Sequence, residues 1–135
     1  MANYTAYFRS NYFGVKDVAQ FQAFCAAFQL EMITTTENNQ TLYGFLNEDN
    51  EGGIPVTRYH EVTDDWEEAD FMSELAAHLM DDYVAIVMEV GYEKMRYLSG
   101  IAHAVNAKGE MMNVELDEIY ERSAALGRKG TNCSY

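Results

Sequence analysis

The stretch YVAIVMEVG, residues 83–91, is the most continuous apolar run of the chain, and it predicts a central β-strand. RYLSGIAHAVN at residues 96–106 predicts a second, long strand, and MMNVEL at residues 111–116 predicts a third. The connection AKGE between the last two is typical of a turn, so the segments form a meander. The fold is therefore expected to rest on an antiparallel sheet.

Four segments in the first 60 residues predict further strands. YTAYFRS at residues 4–10 is aromatic-rich and alternates, as a strand does. LEMITT at residues 30–35 and TLYGFL at residues 41–46 flank the turn ENNQ and predict a hairpin. IPVTRYH at residues 54–60 predicts a short strand, and Pro55 favours an edge position because proline has no backbone N–H to donate.

Three segments predict helices, each beginning after an aspartate that can act as N-cap. The first runs from Asp17 to about Gln29, the second follows Asp70, and the third runs from Asp117 to Gly127. Apolar residues recur at helical spacing in each. The predicted inward-facing residues are Val18, Phe21, Phe24, Cys25 and Phe28 in the first helix, Phe71, Met72, Leu75, Ala76 and Leu79 in the second, and Ile119, Tyr120 and Leu126 in the third.

The element order is β-α-β-β-β-α-β-β-β-α, in which strands run in hairpins and helices stand between groups of strands. This order predicts an α+β fold, with an antiparallel sheet covered by two to three helices. The chain of 135 residues is long enough for one domain with a core of its own. We expect a single domain over residues 1–127 and a C-terminal tail over residues 128–135.

The cysteine content and the hydropathy indicate in which cellular compartment the protein is found. Cys25 stands in an apolar helix and is expected to be buried, whereas Cys133 is expected to be exposed. Two cysteines are too few for a disulfide framework, which favours a reducing compartment. The N-terminus lacks the layout of a secretion signal, and no apolar run approaches the ~20 residues of a membrane helix. These observations predict a cytoplasmic protein that does not enter a membrane.

The net charge is −13, from 22 acidic and 9 basic residues, and it is concentrated in one part of the chain. Residues 47–82 hold twelve of the acidic residues and one basic residue, Arg58. Such a block repels nucleic-acid phosphates, so we expect no direct binding to DNA or RNA. It attracts a basic surface and speeds the encounter with it.

Within this block, HEVTDDWEEADF at residues 60–71 contains six carboxylates, no Lys or Arg, and the only tryptophan of the chain. It lies around a loop and the start of the second helix, just after the acidic loop NEDNEGG at residues 47–53. Tryptophan is enriched at interface hot spots, and charges supply orientation and association rate. The other interpretation, a merely solvated face, stays open. The candidate partner-binding residues are Glu48, Asp49, Glu51, Glu61, Asp64, Asp65, Trp66, Glu67, Glu68 and Asp70.

Metal and catalytic motifs are not convincing in this sequence. NEDNEGG alternates oxygen ligands, but Arg58 stands where a calcium loop needs a bidentate glutamate. HEVTD lacks the second histidine of a zinc helix. The carboxylates are contiguous and expected to face solvent, and Cys25 is a poor nucleophile on its apolar face. The aromatics near the N-terminus lack the basic neighbours of an RNA-stacking surface. We therefore predict no catalytic residue, no metal and no cofactor.

Several stretches together resemble a group of small acidic proteins from phages and other mobile elements. They are RSNYFGVKD, FQAFC, LYGFL, EDNEGG, DDWEEADFMSELAAHL and VAIVMEVGYEKMRYLSGIAHAVNAKGE, and the similarity extends to about Gly127. The resemblance carries no active-site motif, and in type it is to anti-CRISPR and antirestriction inhibitors. It implies a non-enzymatic inhibitor whose acidic face competes with DNA or guide RNA for a basic groove of a host defence complex. An accessory protein-binding module of a mobile element and a small enzyme stay open as alternatives, as does the oligomeric state.

Overall fold

The computed structural model describes residues 5–47, 53–60, 63–94, 96–127 and 129–133, with residues 58–60 described by their backbone only. Within these ranges the strands are β1 (Thr5–Ser10), β2 (Glu31–Glu37), β3 (Gln40–Leu46), β4 (Thr57–His60), β5 (Asp65–Glu68), β6 (Val84–Glu93), β7 (Tyr97–Asn106) and β8 (Met111–Glu115). The helices are α1 (Val18–Ala27), α2 (Phe71–Ala76) and α3 (Glu118–Arg122), and a short 3₁₀ turn (Ser123–Ala125) follows α3.

Six of these strands form one antiparallel sheet in the order β2-β3-β1-β6-β7-β8. The longest ladder joins β6 to β7, from Val84 opposite Asn106 to Glu93 opposite Tyr97. β6 lies inside the sheet between β1 and β7, so the predicted central strand is confirmed. The predicted α+β class with an antiparallel sheet is confirmed as well.

One face of the sheet carries the core, and we call it the inner face. Phe8 of β1, Phe45 of β3, Val87 of β6 and Val105 of β7 are buried there. Both α1 and α2 contribute buried side chains to the same cluster. Phenylalanine rings fill most of the space between helices and sheet, and Phe24 of α1 has five aromatic or imidazole rings around it.

The two covering helices begin where the sequence predicts. The Asp17 carboxylate accepts a hydrogen bond from the Gln20 N–H at 3.0 Å, and Asp70 accepts one from the Ser73 N–H at 3.3 Å. Each bond satisfies a backbone donor that the helix itself cannot satisfy. α2 is short, and the buried Leu79 lies beyond it in a β-bridge with Val15. That bridge ties the end of the helical layer to the chain that precedes α1.

The predicted inward face of the terminal helix is wrong. Ile119 and Leu126 are 57% and 93% exposed, no α3 side chain is buried, and Asp117 makes no capping hydrogen bond through its side chain. α3 follows β8, whose own side chains are all exposed, so the helix has no core to cover there. Tyr120 is half-buried, and its hydroxyl accepts a hydrogen bond from the Cys133 N–H at 2.7 Å.

Val18 of α1 is also more exposed than predicted, because it lies in the first turn beyond the edge of the core. None of the helices in the described ranges is both long enough and apolar enough to cross a membrane.

Candidate protein-binding hairpin

The acidic stretch forms a strand that the sequence did not predict. β5 pairs antiparallel with β4 in a two-stranded ribbon outside the six-stranded sheet, with Thr57 opposite Glu68 and His60 opposite Asp65. We call the two strands the acidic hairpin. The sequence analysis expected a loop at these residues, and this expectation was wrong. DWEE lacks the alternation of apolar and polar residues from which a half-buried strand is predicted. Pairing with β4 supplies the backbone hydrogen bonds instead.

Every side chain of β5 is exposed, including Trp66 at 50%. Successive side chains of a strand point to opposite faces, so Asp65 and Glu67 lie on one face of the ribbon and Trp66 and Glu68 on the other. Both faces of this segment therefore reach solvent. The possibility that Trp66 belongs to the core is excluded by this exposure.

The turn end of the hairpin concentrates negative charge. Asp64 has a positive φ of 51°, a conformation that aspartate tolerates better than most residues. Asp65 follows it and accepts a hydrogen bond from the Trp66 N–H at 2.8 Å through its own side chain. Arg58, the only Lys or Arg between residues 47 and 82, stands opposite Glu67 in the register.

The root of the hairpin is fixed to the inner face of the sheet. The Ile54 N–H donates to Glu89 Oε1 on β6 at 2.7 Å, and the Ala69 N–H donates to the Val56 carbonyl at 2.9 Å. A Cβ at Gly53 would overlap the Glu89 carboxylate, so a larger residue there would displace this carboxylate from its present position. Because both arms are tied at the base, the carboxylates extend from a defined position rather than from a free loop.

A cavity of about 780 Å³ opens at this root. Apolar residues from both arms line it, together with the polar side chains of Glu68, Asp70 and His103. It is large enough for a side chain of a bound partner. The lining residues are Ile54, Pro55, Val56, Thr57, Glu68, Ala69, Asp70, Phe71, Met72 and His103.

The predicted site residues divide into three groups. Asp64, Asp65, Trp66, Glu67 and Glu68 come together on the acidic hairpin and are exposed. Asp70 is exposed too, but both of its carboxylate oxygens accept hydrogen bonds from Ser73 in the α2 cap. Residues of the third group lie outside the described residues, so their expected role stays a prediction. They are Glu48, Asp49, Glu51 and Glu61.

The titratable groups of the interior do not resemble an activated centre. Burial raises the pKa of the Cys25 thiol to about 12, which leaves it protonated and unreactive at neutral pH. Cys133 is exposed, as expected. Within the described ranges no three His, Cys, Asp or Glu side chains are grouped closely enough to hold a metal ion.

His78 is the one histidine with a perturbed pKa in the described part of the chain. Its ring lies 5.0 Å from the Phe24 ring centroid and 6.2 Å from that of Phe21. Burial against these rings lowers the pKa of His78, while Asp17 raises it and Lys16 lowers it further. The folded protein therefore binds a proton at this site less readily than the unfolded chain does.

We expect His78 to make the protein less stable as the pH falls. Its pKa in the unfolded chain is about 6.5, so below that value the unfolded state takes up protons that the folded state resists. The contribution of neutral His78 is complete above pH ~6.5 and is lost as the pH falls toward the lower folded pKa. Thermal melts of wild type and His78→Gln across this window should show a shallower acid-side loss in the variant. Identical slopes would contradict this role.

Comparisons with known proteins do not assign the chain to a family. No protein-family model matches it, no curated protein matches it, and no solved structure matches it.

The sequence analysis missed a second candidate surface, the face of the sheet opposite the inner face. On β6 the residues that alternate with buried Ala85 and Val87 are also apolar, and most are exposed. A run that is apolar at both odd and even positions was the available signal, and it was interpreted only as a central strand. We call this surface the outer face. On β6 it consists of Val84, Ile86, Met88, Val90 and Tyr92.

Proposed function

We propose that the protein is a non-enzymatic inhibitor that binds, through its acidic hairpin, the basic groove of a host nucleic-acid-binding defence complex. The observation that carries the proposal is that every side chain of β5 is exposed, on a ribbon outside the main sheet. A strand that buries none of its side chains contributes little to the core. Its acidic residues and its tryptophan therefore face solvent, where a partner can reach them.

The spacing of the carboxylates supports a groove that normally holds nucleic acid. Asp65 and Glu67 share one face of the ribbon, so they are ~6.6 Å apart along the strand. Adjacent phosphates of one DNA strand lie at a comparable separation, so Lys and Arg side chains placed for phosphates can meet these carboxylates. The acidic hairpin would thereby occupy the groove in place of DNA or guide RNA.

Trp66 would supply the contact area that charge alone does not. It lies on the opposite face of β5 from Asp65 and Glu67, half-exposed and next to Glu68. Indole rings bury a large apolar surface at interfaces and often dominate the binding energy. In this proposal the carboxylates increase the rate of association, and Trp66 slows the dissociation of the complex.

The remaining parts of the proposal extend the sequence predictions. Residues 1–127 would act as a single α+β domain covered by its helices, residues 128–135 as a tail, and the site of action would be the host cytoplasm. The alternatives are an accessory protein-binding module of a mobile element, which would use the same hairpin without blocking nucleic acid, and a small enzyme.

The test uses the protein as an immobilised bait for bacterial lysate proteins. A neutral-hairpin variant combines Asp64→Asn, Asp65→Asn, Glu67→Gln and Glu68→Gln. A charge-control variant removes the same number of charges from exposed positions elsewhere, by Glu37→Gln, Asp81→Asn, Glu115→Gln and Glu121→Gln. Both variants have the same net charge, so they separate the local effect of the hairpin from the effect of the overall field.

We expect wild type and the charge-control variant to retain the same nucleic-acid-binding proteins, and the neutral-hairpin variant to lose them. Added duplex DNA or guide RNA should compete for the retained proteins. If the neutral-hairpin variant retained the same proteins as wild type, the acidic stretch would be a solvated face. A retained partner that nucleic acid does not displace would favour the accessory module.

A further inference from the structure

The outer face is a broad apolar surface that α1 and α2 leave uncovered, and α3 borders it on the β8 side. It spans β1, β6, β7 and β8, and Met88, Val90 and Met112 are 59%, 60% and 73% exposed. Monomeric proteins seldom expose a continuous apolar patch of this breadth unless it binds something. A partner that binds this surface is therefore expected to present an apolar and flat surface of its own.

The relief of the outer face is a groove between two ridges. Gly100, Ala102 and Ala104 of β7 have short side chains, and the register places Val90, Met88 and Ile86 of β6 opposite them. Met112 and Val114 of β8 flank the other side. A cavity of about 380 Å³ lies along this groove, and Glu118, Ile119 and Arg122 of α3 also line it. A ridge on one copy can therefore enter the groove of a second copy, which is the self-complementarity that a twofold interface requires.

The charges on the molecule are segregated in a way that permits this contact. Across the outer positions of β1, β6, β7 and β8, all within the described ranges, Arg9 is the only charged residue, and Glu118 and Arg122 of α3 stand beside the face as one negative and one positive charge. The root of the acidic hairpin, in contrast, is bonded to Glu89, whose register partner is the buried Phe8, and thus lies on the inner face. Two copies that meet by their outer faces keep their acidic hairpins on opposite sides of the assembly.

The size of the face reaches the minimum that a specific pair needs. The four strands hold 31 residues, and at ~3.3 Å rise and ~4.8 Å spacing they give a flat area of ~500 Å² for each copy. Two such faces cover ~1,000 Å² in total, about the least that a specific interface buries. Because the side chains protrude from the sheet, the solvent-accessible area of each face is larger than this flat area.

We propose that two copies of this chain associate through their outer faces, packing sheet on sheet with the Met88–Val90 ridge of each in the β7 groove of the other. Sheets pack in this way at ~10 Å separation in β-sandwiches. The inference is independent of the function proposed for the acidic hairpin.

The first experiment measures mass by sedimentation equilibrium over a range of chain concentrations. Wild type should reach the dimer mass, and added salt should strengthen the dimer because it screens the repulsion between two chains of charge −13. Val90→Lys should weaken association by about tenfold or more, because it buries a charge in the apolar interface. Val56→Lys is the matched control: Val56 is more exposed than Val90 but lies off the outer face.

The second experiment maps the interface without a mutation. Hydrogen peroxide oxidises exposed methionines, and mass spectrometry follows each site. Oxidation of Met88 and Met112 should slow as the chain concentration rises, whereas oxidation of Met80, exposed and off the outer face, should not. A wild-type protein that stays monomeric at all concentrations, or a dimer that Val90→Lys leaves intact, would overturn the proposal. So would oxidation rates of Met88 and Met112 that do not change with chain concentration.

Discussion

Replacement of Phe24 by Ala is expected to lower the free energy of unfolding by about 3–5 kcal/mol, the largest stability effect of a single change that the structure suggests. The Phe24 ring is 6% exposed, and its centroid lies 5.1 Å from that of Phe28 and 5.4 Å from that of Phe71. Those neighbours come from α1 itself and from α2, so they cannot all move into the space that the ring leaves. The loss is large against a total stability of about 5–15 kcal/mol for a typical domain.

Urea unfolding followed by far-ultraviolet circular dichroism measures this effect. The matched control is Trp66→Ala, which truncates an aromatic ring of similar or larger size that is half in solvent. The control should lose far less stability, because less contact and less apolar burial disappear. If Phe24→Ala does not fold, Phe24→Leu gives a smaller loss of the same origin. Equal losses for the Phe24 and Trp66 variants would show that the phenylalanine cluster is not the core.

The neutral-hairpin variant is expected to associate with its captured partner about tenfold to a thousandfold more slowly than wild type. The exposed carboxylates of Asp64, Asp65, Glu67 and Glu68 act together on an approaching basic groove, so single changes such as Glu67→Ala should be mild. Binding of the wild type should weaken as salt rises. Surface plasmon resonance at two salt concentrations separates these effects. The charge-control variant should keep an association rate near that of wild type.

Trp66→Ala is expected to act on the same complex in a different way. It removes apolar contact area, so the loss should appear as faster dissociation, and it should persist at high salt. A thermal melt of each variant confirms that the change lies in binding rather than in folding. Unchanged kinetics in a well-folded neutral-hairpin variant would leave the acidic hairpin without the function proposed for it.

The parts of the fold that were predicted from the sequence are those that local rules determine. The β6–β7–β8 meander follows from apolar runs and short turns, and the starts of α1 and α2 follow from the side-chain bonds of Asp17 and Asp70. Each feature depends on residues close together in the chain. The antiparallel sheet that contains them could therefore be predicted from the hydrophobic pattern and the turns alone.

The parts that were not predicted depend on contacts between distant segments. β5 is polar throughout, and only its pairing with β4 makes it a strand. The apolar spacing of the terminal segment predicts an inward helix face, but the chain has already passed the last strand of the sheet when α3 begins. The outer face was missed because an apolar strand inside a sheet is commonly covered on both sides. Here α1 and α2 cover one side, and α3 only borders the other.

The candidate site was predicted in composition and not in shape. The charge count identified Asp64, Asp65, Glu67 and Glu68 as neighbours, and Trp66 as the aromatic among them. The sequence could not show that these residues alternate across a ribbon, nor that its root is bonded to Glu89 on β6. It also did not show that the Asp70 carboxylate serves the α2 cap.

Competition with nucleic acid for the captured partner tests the central claim most directly. The partner is loaded with its fluorescently labelled DNA or guide RNA, the protein is added, and release of the label is followed by fluorescence anisotropy. We expect wild type and the charge-control variant to displace the nucleic acid completely, and the neutral-hairpin variant to displace little. A stable complex that contains the partner, its nucleic acid and the wild-type protein together would contradict the account.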